Sequence, residues 1–236
     1  MKNVILFDLD GTLLPMDQEI FIKDYFQRLT QKIVSHGYEP KKLLDTILSG
    51  INAMIQNEGT QTNETVFWNV MCGRYGEEVI KDKYIFEEFY KNEFHEVAKS
   101  CGYHEMSDKI IKELKKKGYR VILATNPLFP AVATRSRMKW AGLKEEDFEY
   151  VTTYENSNYC KPNIKYYLQL TEKLGIAPEQ CIMVGNDVAD DMVTTKLGMD
   201  VFLLTDCLVN KDNVDISIYP NGGFEELIQY LKLEVE

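Results

Sequence analysis

Long hydrophobic runs are missing from this sequence. The apolar run nearest the N-terminus covers only residues 4–7. A membrane-spanning helix needs roughly 20 apolar residues, and a secretory signal needs a longer apolar stretch with a small-residue cleavage site. We therefore expect a soluble, cytoplasmic protein that has no membrane partner.

Cysteine and histidine are also scarce. The five cysteines are odd in number and form no C-x-x-C pair, so we expect reduced thiols rather than a disulfide framework. The three histidines, His36, His95 and His104, show no spacing typical of metal ligands, and we assign them no role.

Positive charge is in deficit, because 27 Lys and Arg residues face 37 Asp and Glu residues, for a net charge of -10. This balance argues against nucleic acid as the main partner, since a phosphate backbone requires a basic surface. A small phosphorylated substrate is still compatible, because a bound divalent cation can invert the local charge. The length of 236 residues allows one large domain or a domain with an insert.

Four short apolar runs predict buried parallel strands: residues 4–7, 121–124, 181–184 and 201–204. A weaker run at residues 150–153 is rich in β-branched side chains. Helical patterns lie between the runs. One predicted helix is capped by Ser107 and stops at Gly118, and another follows Asp187 and stops at Gly198. Alternating strands and helices predict an α/β fold with a Rossmann-like parallel sheet.

Residues 16–97 break this alternation and contain only helical patterns. We therefore predict an all-helical insert at 16–97, placed between two parts of the α/β core at 1–15 and 98–236. The aromatic side chains of the insert are interpreted as helix-packing core rather than a substrate-binding surface; they are Tyr25, Phe67, Trp68, Phe89 and Tyr90.

Polar residues follow the predicted strands, where ligands bind in doubly wound sheets. Three aspartates that converge there would repel one another without a cation, and oxygen ligands suit Mg²⁺. A hydroxyl and an ammonium group are natural partners for phosphoryl oxygens. This combination indicates phosphoryl transfer through an aspartyl phosphate. The residues concerned are Asp8, Asp10 and Asp187, with Thr125 and Lys161.

In chain order, these segments resemble the four motifs of the haloacid dehalogenase superfamily: Asp8-Leu9-Asp10-Gly11-Thr12, Thr125, Lys161-Pro162 and Gly185-Asn186-Asp187-x-x-Asp190-Asp191. Residues 1–15 and 98–236 resemble its Rossmann-like core, and residues 16–97 resemble its helical cap. The resemblance implies a Mg²⁺-dependent phosphomonoester hydrolase that acts on a small phosphorylated metabolite, as a monomer or a homodimer.

The resemblance also implies a role for each motif residue. Asp8 would attack phosphorus, and Asp10 would protonate the leaving group and then deprotonate the attacking water. Lys161 would offset the charge between Asp8 and the phosphoryl group. The expected phosphate-binding residues are Thr125, Asn126, Gly11 and Thr12.

The same resemblance implies that Mg²⁺ is held by Asp8, the backbone carbonyl of Asp10, and Asp187. Many relatives have an acid directly after the fourth-motif glycine, where this chain has Asn186. We favour Asp187 because a carboxylate is the better magnesium ligand. Alignment by the glycine selects Asn186 and Asp190, alignment by the acidic pair selects Asp187 and Asp191, and the choice between Asp190 and Asp191 stays open.

Two other functions remain open at this point. Sugar phosphomutases of the same superfamily also have both motif-one aspartates and a helical cap. A non-catalytic phosphate-binding or regulatory protein could use the same side chains. Dehalogenases lack the second aspartate, so Asp10 counts against carbon–halogen cleavage.

Overall fold

The computed structural model describes residues 2–235. Within them, one sheet of six parallel strands has the order β3-β2-β1-β4-β5-β6. The strands are β1 Val4–Phe7, β2 Arg120–Leu123, β3 Tyr150–Val151, β4 Cys181–Gly185, β5 Asp200–Leu204 and β6 Asn221–Gly222. The predicted α/β class with a Rossmann-like parallel sheet is confirmed. The short strand β6 was not predicted, because an Asn-Gly pair has no strand signal.

Eight α-helices accompany the sheet in the described part of the chain. They are α1 Gln18–Val34, α2 Pro40–Ile55, α3 Asn63–Tyr75, α4 Lys83–Lys91, α5 Glu105–Lys116, α6 Ala131–Trp140, α7 Ile164–Lys173 and α8 Phe224–Leu231. Short 3₁₀ segments connect them at Glu77–Asp82, Glu93–Ser100, Glu145–Asp147, Pro178–Gln180, Met192–Leu197 and Ile216–Ile218. Local sequence explains the ends; for example, the Asp17 carboxylate accepts hydrogen bonds from the first free N–H groups of α1.

Both faces of the sheet are buried, as its apolar strands require. Alternate residues of β1 belong to different clusters: Ile5 and Phe7 pack toward α5 and the helical insert, whereas Val4 and Leu6 pack against α7. This burial aligns the carboxyl ends of β1, β2 and β4 at one edge of the sheet. The catalytic motifs follow those three strands.

The helical insert leaves the core after β1 and returns next to its own point of departure. Met16 forms an antiparallel bridge with Cys101, and the Gly102 amide donates to the Pro15 carbonyl at 2.7 Å. Helical residues run on to Ser100, past the boundary drawn at residue 97. The division into a core and a cap stays a prediction.

Two of the predicted helix features differ in the structure. The α5 cap is His104, whose Nδ1 accepts from the Met106 amide, so the assignment of Ser107 as cap and of no role to His104 was wrong. Ser107 instead lies inside the first turn, where its hydroxyl donates to the Leu13 carbonyl at 2.7 Å. The helix predicted after Asp187 is a 3₁₀ segment that stops at Gly198, because β-branched threonines with back-bonding hydroxyls disfavour a longer α-helix.

All five cysteines lie in the described residues and are unpaired. Burial raises the pKa of Cys101 to about 11 and of Cys160 to about 12, so neither is a reactive thiolate. Among residues 2–235, no helix has both the length and the apolar character needed to cross a membrane.

Candidate active site

Asp8 lies directly after β1, at the carboxyl edge of the sheet. Its amide donates to the Val184 carbonyl at 2.9 Å, which continues the sheet hydrogen bonding by one residue. The chain then turns sharply at Gly11, whose φ of +89° favours glycine. A side chain at Gly11 would also collide with Asn186. This turn brings Asp8 and Asp10 to the same cleft, as the sequence predicts.

Lys161 approaches Asp8 from the loop before α7. Its ammonium group is buried, 2.9 Å from Asp8 Oδ1 and 2.6 Å from Asp191 Oδ1. Burial by itself lowers the pKa of Lys161, but the charges of Asp191 and Asp8 outweigh it and raise the pKa well above its ordinary value. Lys161 is therefore a fixed positive charge beside Asp8, and Asp191 anchors it.

Thr12 connects Asp8 to the residue after β4. Its hydroxyl lies 3.1 Å from Asp8 Oδ2 and 2.9 Å from Asn186 Oδ1. Because the hydroxyl has one hydrogen, it can donate to only one of these oxygens at a time. The Asn186 amide nitrogen donates to the Cys207 carbonyl at 2.7 Å, which fixes the orientation of the side chain. One oxygen of the pair is therefore free for another ligand.

Asp187 and Asp190 belong to the turn that follows Asn186. Asp187 Oδ1 accepts from the amides of Ala189 and Asp190 at 2.8 and 3.0 Å, so one of its carboxylate oxygens stabilises this turn. Asp190 Oδ2 accepts from the Asn126 side chain at 3.2 Å. Burial raises the pKa of Asp190 to about 6, although Lys161 opposes the shift. Both acids line the cleft.

Thr125 and Asn126 follow β2 and carry oxygens without a protein partner. The Thr125 carbonyl accepts from the hydroxyls of Thr152 and Tyr166, at 2.8 and 2.9 Å, so its backbone is firmly held. Within the described residues, Thr125 Oγ1, Asn126 Oδ1 and Asp10 Oδ1 are buried and have no hydrogen-bond partner. Buried polar atoms of native proteins usually have partners, so a ligand of this cleft would satisfy them.

Arg137 of α6 is a site residue that the motifs did not reveal. Its side chain is 0% exposed, and its Nη1 forms an ion pair with Asp10 Oδ2. Nη2 donates to the Thr134 hydroxyl at 3.2 Å, and the guanidinium lies over the Phe129 ring at 4.3 Å. Burial raises the pKa of Asp10 above its ordinary value, and the charge of Arg137 opposes that shift.

A signal for Arg137 was present in the sequence. Ala133, Arg137 and Ala141 follow one another at four-residue spacing, which places them on one helical face. All three are fully buried. An arginine on an otherwise small, buried face needs a charge partner, and Asp10 is that partner.

These side chains line a cleft of about 230 Å³. Carboxylate and amide oxygens predominate on its wall, with Lys211 at the rim. Among residues 2–235, no three acidic, histidine or cysteine side chains converge to form a complete metal cluster. Mg²⁺ is usually bound through one or two carboxylates and keeps several waters, so this oxygen-rich wall with unpartnered atoms fits Mg²⁺.

Every residue that the motifs selected therefore lies at one edge of the sheet. Asp8, Asp10, Thr125, Asn126, Asn186, Asp187, Asp190 and Asp191 line the cleft, Thr12 and Lys161 contact Asp8, and Gly11 makes the turn between the two motif-one aspartates. Their individual roles stay predictions.

Comparison with known proteins assigns the class. A family model described as haloacid dehalogenase-like hydrolase matches residues 2–194. The chain therefore belongs to the haloacid dehalogenase-like hydrolases, and the resemblance found in the sequence is confirmed. It is a hydrolase enzyme.

Particular relatives are more distant. Pyrophosphatase PpaX of Bacillus cereus strain AH820 is 26% identical over 189 residues, which cover 80% of this chain and 76% of that protein. The structure of a haloacid dehalogenase phosphatase from Thermococcus onnurineus covers 100% of both chains, with 21% identity and a TM-score of 0.59. A predicted phosphoglycolate phosphatase from Haemophilus somnus 129pt covers 97% of each chain, with 17% identity and a TM-score of 0.59.

One further solved structure contains ligands. It is a haloacid dehalogenase family enzyme from Bacteroides thetaiotaomicron, in complex with magnesium and inorganic phosphate. It is 20% identical and covers 92% of this chain and 98% of its own, with a TM-score of 0.52. At these identities the structures show a common fold.

Proposed function

We propose that this protein is a cytoplasmic, Mg²⁺-dependent phosphomonoester hydrolase that transfers the phosphoryl group of a small metabolite to Asp8. The observation that carries the proposal is the environment of the Asp8 carboxylate. Lys161 lies 2.9 Å from one oxygen and the Thr12 hydroxyl lies 3.1 Å from the other. Beside it are the unpartnered oxygens of Asp10, Thr125 and Asn126.

The first step is attack of the Asp8 carboxylate on phosphorus. A bond forms between an Asp8 oxygen and phosphorus, and the bond from phosphorus to the ester oxygen breaks. Asp10 donates a proton to that departing oxygen. Burial raises the pKa of Asp10, which favours the protonated acid, and its Oδ1 has no protein partner. Arg137 holds the other oxygen, Oδ2, in place.

The second step releases inorganic phosphate. Asp10, now a carboxylate, removes a proton from a water molecule that attacks phosphorus, and the Asp8–phosphorus bond breaks. The Thr125 hydroxyl and the Asn126 side chain are placed to bind the phosphoryl oxygens, and Lys161 offsets negative charge. This sequence of steps regenerates both aspartates.

Mg²⁺ would be held by Asp8, the backbone carbonyl of Asp10, and Asp187, with Asn186 as the competing ligand. Its chemistry would be charge neutralisation and orientation of the phosphoryl group. The free oxygen of the Asp8–Asn186 pair beside Thr12 supports a cation there. The magnesium and phosphate bound in the Bacteroides thetaiotaomicron relative also support the proposal.

The test compares wild type with Asp8→Asn, using Asp45→Asn on the exposed surface of α2 as a matched control. Asp8→Asn should lower kcat on acetyl phosphate by about 10³-fold or more, since loss of a nucleophile can cost roughly 10⁶. Hydroxylamine should trap an acyl adduct at residue 8 of wild type only. EDTA should abolish turnover, and Mg²⁺ should restore it. A folded Asp8→Asn protein with the turnover of Asp45→Asn would refute the proposal.

A further inference from the structure

A second cavity lies between the helical insert and the core, next to the catalytic cleft. Its volume is about 280 Å³, and we call it the apolar chamber. Helices α1 to α4 form most of its wall, and the loops after β2 and β3 close it. Aromatic side chains that the sequence suggested as core line it, including Tyr25, Phe67, Trp68 and Tyr90.

The apolar chamber and the catalytic cleft share part of their walls. Ile22, Leu128 and Phe129 line both cavities. Phe129 also lies under the guanidinium of Arg137, which holds Asp10. A group that departs from a phosphorus atom beside Asp8 and Asp10 would therefore reach the apolar chamber directly.

The lining of the apolar chamber contains no Lys, Arg, Asp or Glu among residues 2–235. Its polar groups are few and mostly satisfied by each other, since the hydroxyls of Tyr25 and Tyr90 lie 2.7 Å apart and share a hydrogen bond. The buried indole N–H of Trp68 has no partner in the described residues. The wall therefore suits an apolar body that carries at most one or two uncharged polar atoms.

Packing alone does not account for a space of this size. Protein interiors are close-packed and leave few voids larger than a water molecule. A cavity of about 150 Å³ already holds a benzene ring, so a space of 280 Å³ can hold a substituted ring. Access from solvent exists at the rim, where Ile22 and Leu48 are about half exposed.

We propose that the substrate is a phosphate monoester with an uncharged, largely apolar leaving group that contains a ring, and that the apolar chamber binds this group. The inference rests on the proposed phosphohydrolase function and adds the class of substrate. A carboxylate or a second phosphate would enter the chamber without a counterion, which is costly for a buried charge. Substrates of the kinds named for the relatives, phosphoglycolate and pyrophosphate, would therefore be poor.

Esters of primary alcohols provide the test, because their leaving groups have similar intrinsic reactivity. The three esters are 2-phenylethyl phosphate, ethyl phosphate and 2-phosphoglycolate, measured with Mg²⁺ by release of inorganic phosphate. The phenyl ester should exceed ethyl phosphate in kcat/KM by about 10- to 100-fold, the range that corresponds to burial of an aromatic side chain. The glycolate ester should be no better than ethyl phosphate.

A charge at the rim provides the second measurement. Leu48 lines the apolar chamber and is 45% exposed, whereas Ile55, two turns further along α2, is 42% exposed and lies outside it. Leu48→Arg should lower the ratio of phenyl-ester to glycolate-ester kcat/KM by about 10-fold or more, because the arginine replaces apolar contact and attracts the carboxylate. Ile55→Arg should leave that ratio unchanged.

The outcomes separate this inference from the proposed function. Turnover of acetyl phosphate reports the phosphatase chemistry without using the apolar chamber. Acetyl phosphatase activity without preference for the phenyl ester, or an equal ratio in Leu48→Arg and Ile55→Arg, would overturn the apolar chamber and leave the proposed function intact. Failure to hydrolyse acetyl phosphate and all three esters would overturn both.

Discussion

Replacement of Arg137 by methionine should reveal how strongly Asp10 depends on a buried positive charge. Arg137 is fully buried, whereas the Asp10 side chain keeps 22% of its exposure. Methionine retains the apolar stem over Phe129 but leaves the Asp10 carboxylate without a counterion and the Thr134 hydroxyl without its bond. The variant therefore isolates the loss of charge from the loss of packing.

The magnitude follows from these contacts. Breaking a buried ion pair by removal of one partner costs about 3–5 kcal/mol, and the remaining exposure of Asp10 lets water reduce the cost to about 2–3 kcal/mol. For a domain of this size, each kcal/mol corresponds to a shift in Tm of about 2–4 °C. Arg137→Met should therefore lower Tm by about 4–12 °C. It should also lower kcat, because the Asp10 carboxylate loses the contact that orients it.

Thermal unfolding followed by circular dichroism measures the effect, with Arg135→Met as the matched control. Arg135 lies on the same helix and pairs with Glu145 at 2.7 Å, but both side chains are half exposed. Exposed pairs contribute about 0–1 kcal/mol, so the Tm of this control should change by less than about 4 °C.

A double-mutant cycle tests whether the Asp10 pair is responsible. Combining Arg137→Met with Asp10→Asn should cost less than the sum of the two single changes, because neither residue then leaves an unpaired buried charge. Equal Tm values for Arg137→Met and Arg135→Met, or strict additivity in the cycle, would refute the reasoning.

Three further predictions concern the motif residues and the insert. Asp10→Asn should lower kcat by about 10²–10⁴-fold, and wild-type turnover across the pH range would exclude it as the acid and base. Asp187→Ala should weaken Mg²⁺ affinity, measured by titration of activity, more than Asn186→Ala does; the reverse order would identify Asn186 as the ligand. Joining residues 1–15 to 98–236 should leave weak p-nitrophenyl phosphatase activity but remove discrimination among metabolites, whereas a folded core with the full substrate ranking would show that the insert has only a structural role.

Local patterns were sufficient for the architecture and for the residues at the sheet edge. Buried parallel strands are continuous apolar runs, and the polar residues that follow them must lie at one edge because parallel strands end together. This is why strand positions along the chain are enough to group Asp8, Thr125 and Asn186. The helical spacing of the insert likewise predicted α1 to α4, although the ends moved by a few residues.

Helix ends were less accessible to sequence reasoning because capping residues compete. His104 and Ser107 both have side chains that can accept an amide hydrogen, and the structure uses His104 because Ser107 bonds instead to Leu13, far away in the sequence. The segment after Asp191 is a 3₁₀ helix for a related reason, since its threonine hydroxyls bond back to the preceding turn.

The sequence by itself determined the fold class, the family and the oxygen-rich character of the site, since periodicity and motif order are properties of neighbouring residues. Only the tertiary structure decided that Arg137 holds Asp10, that Asp191 anchors Lys161, and that insert aromatics enclose a cavity beside the site. The two ion pairs join residues 127 and 30 positions apart. Their formation depends on how helices and loops pack across the sheet edge, and one-dimensional periodicity does not contain that information.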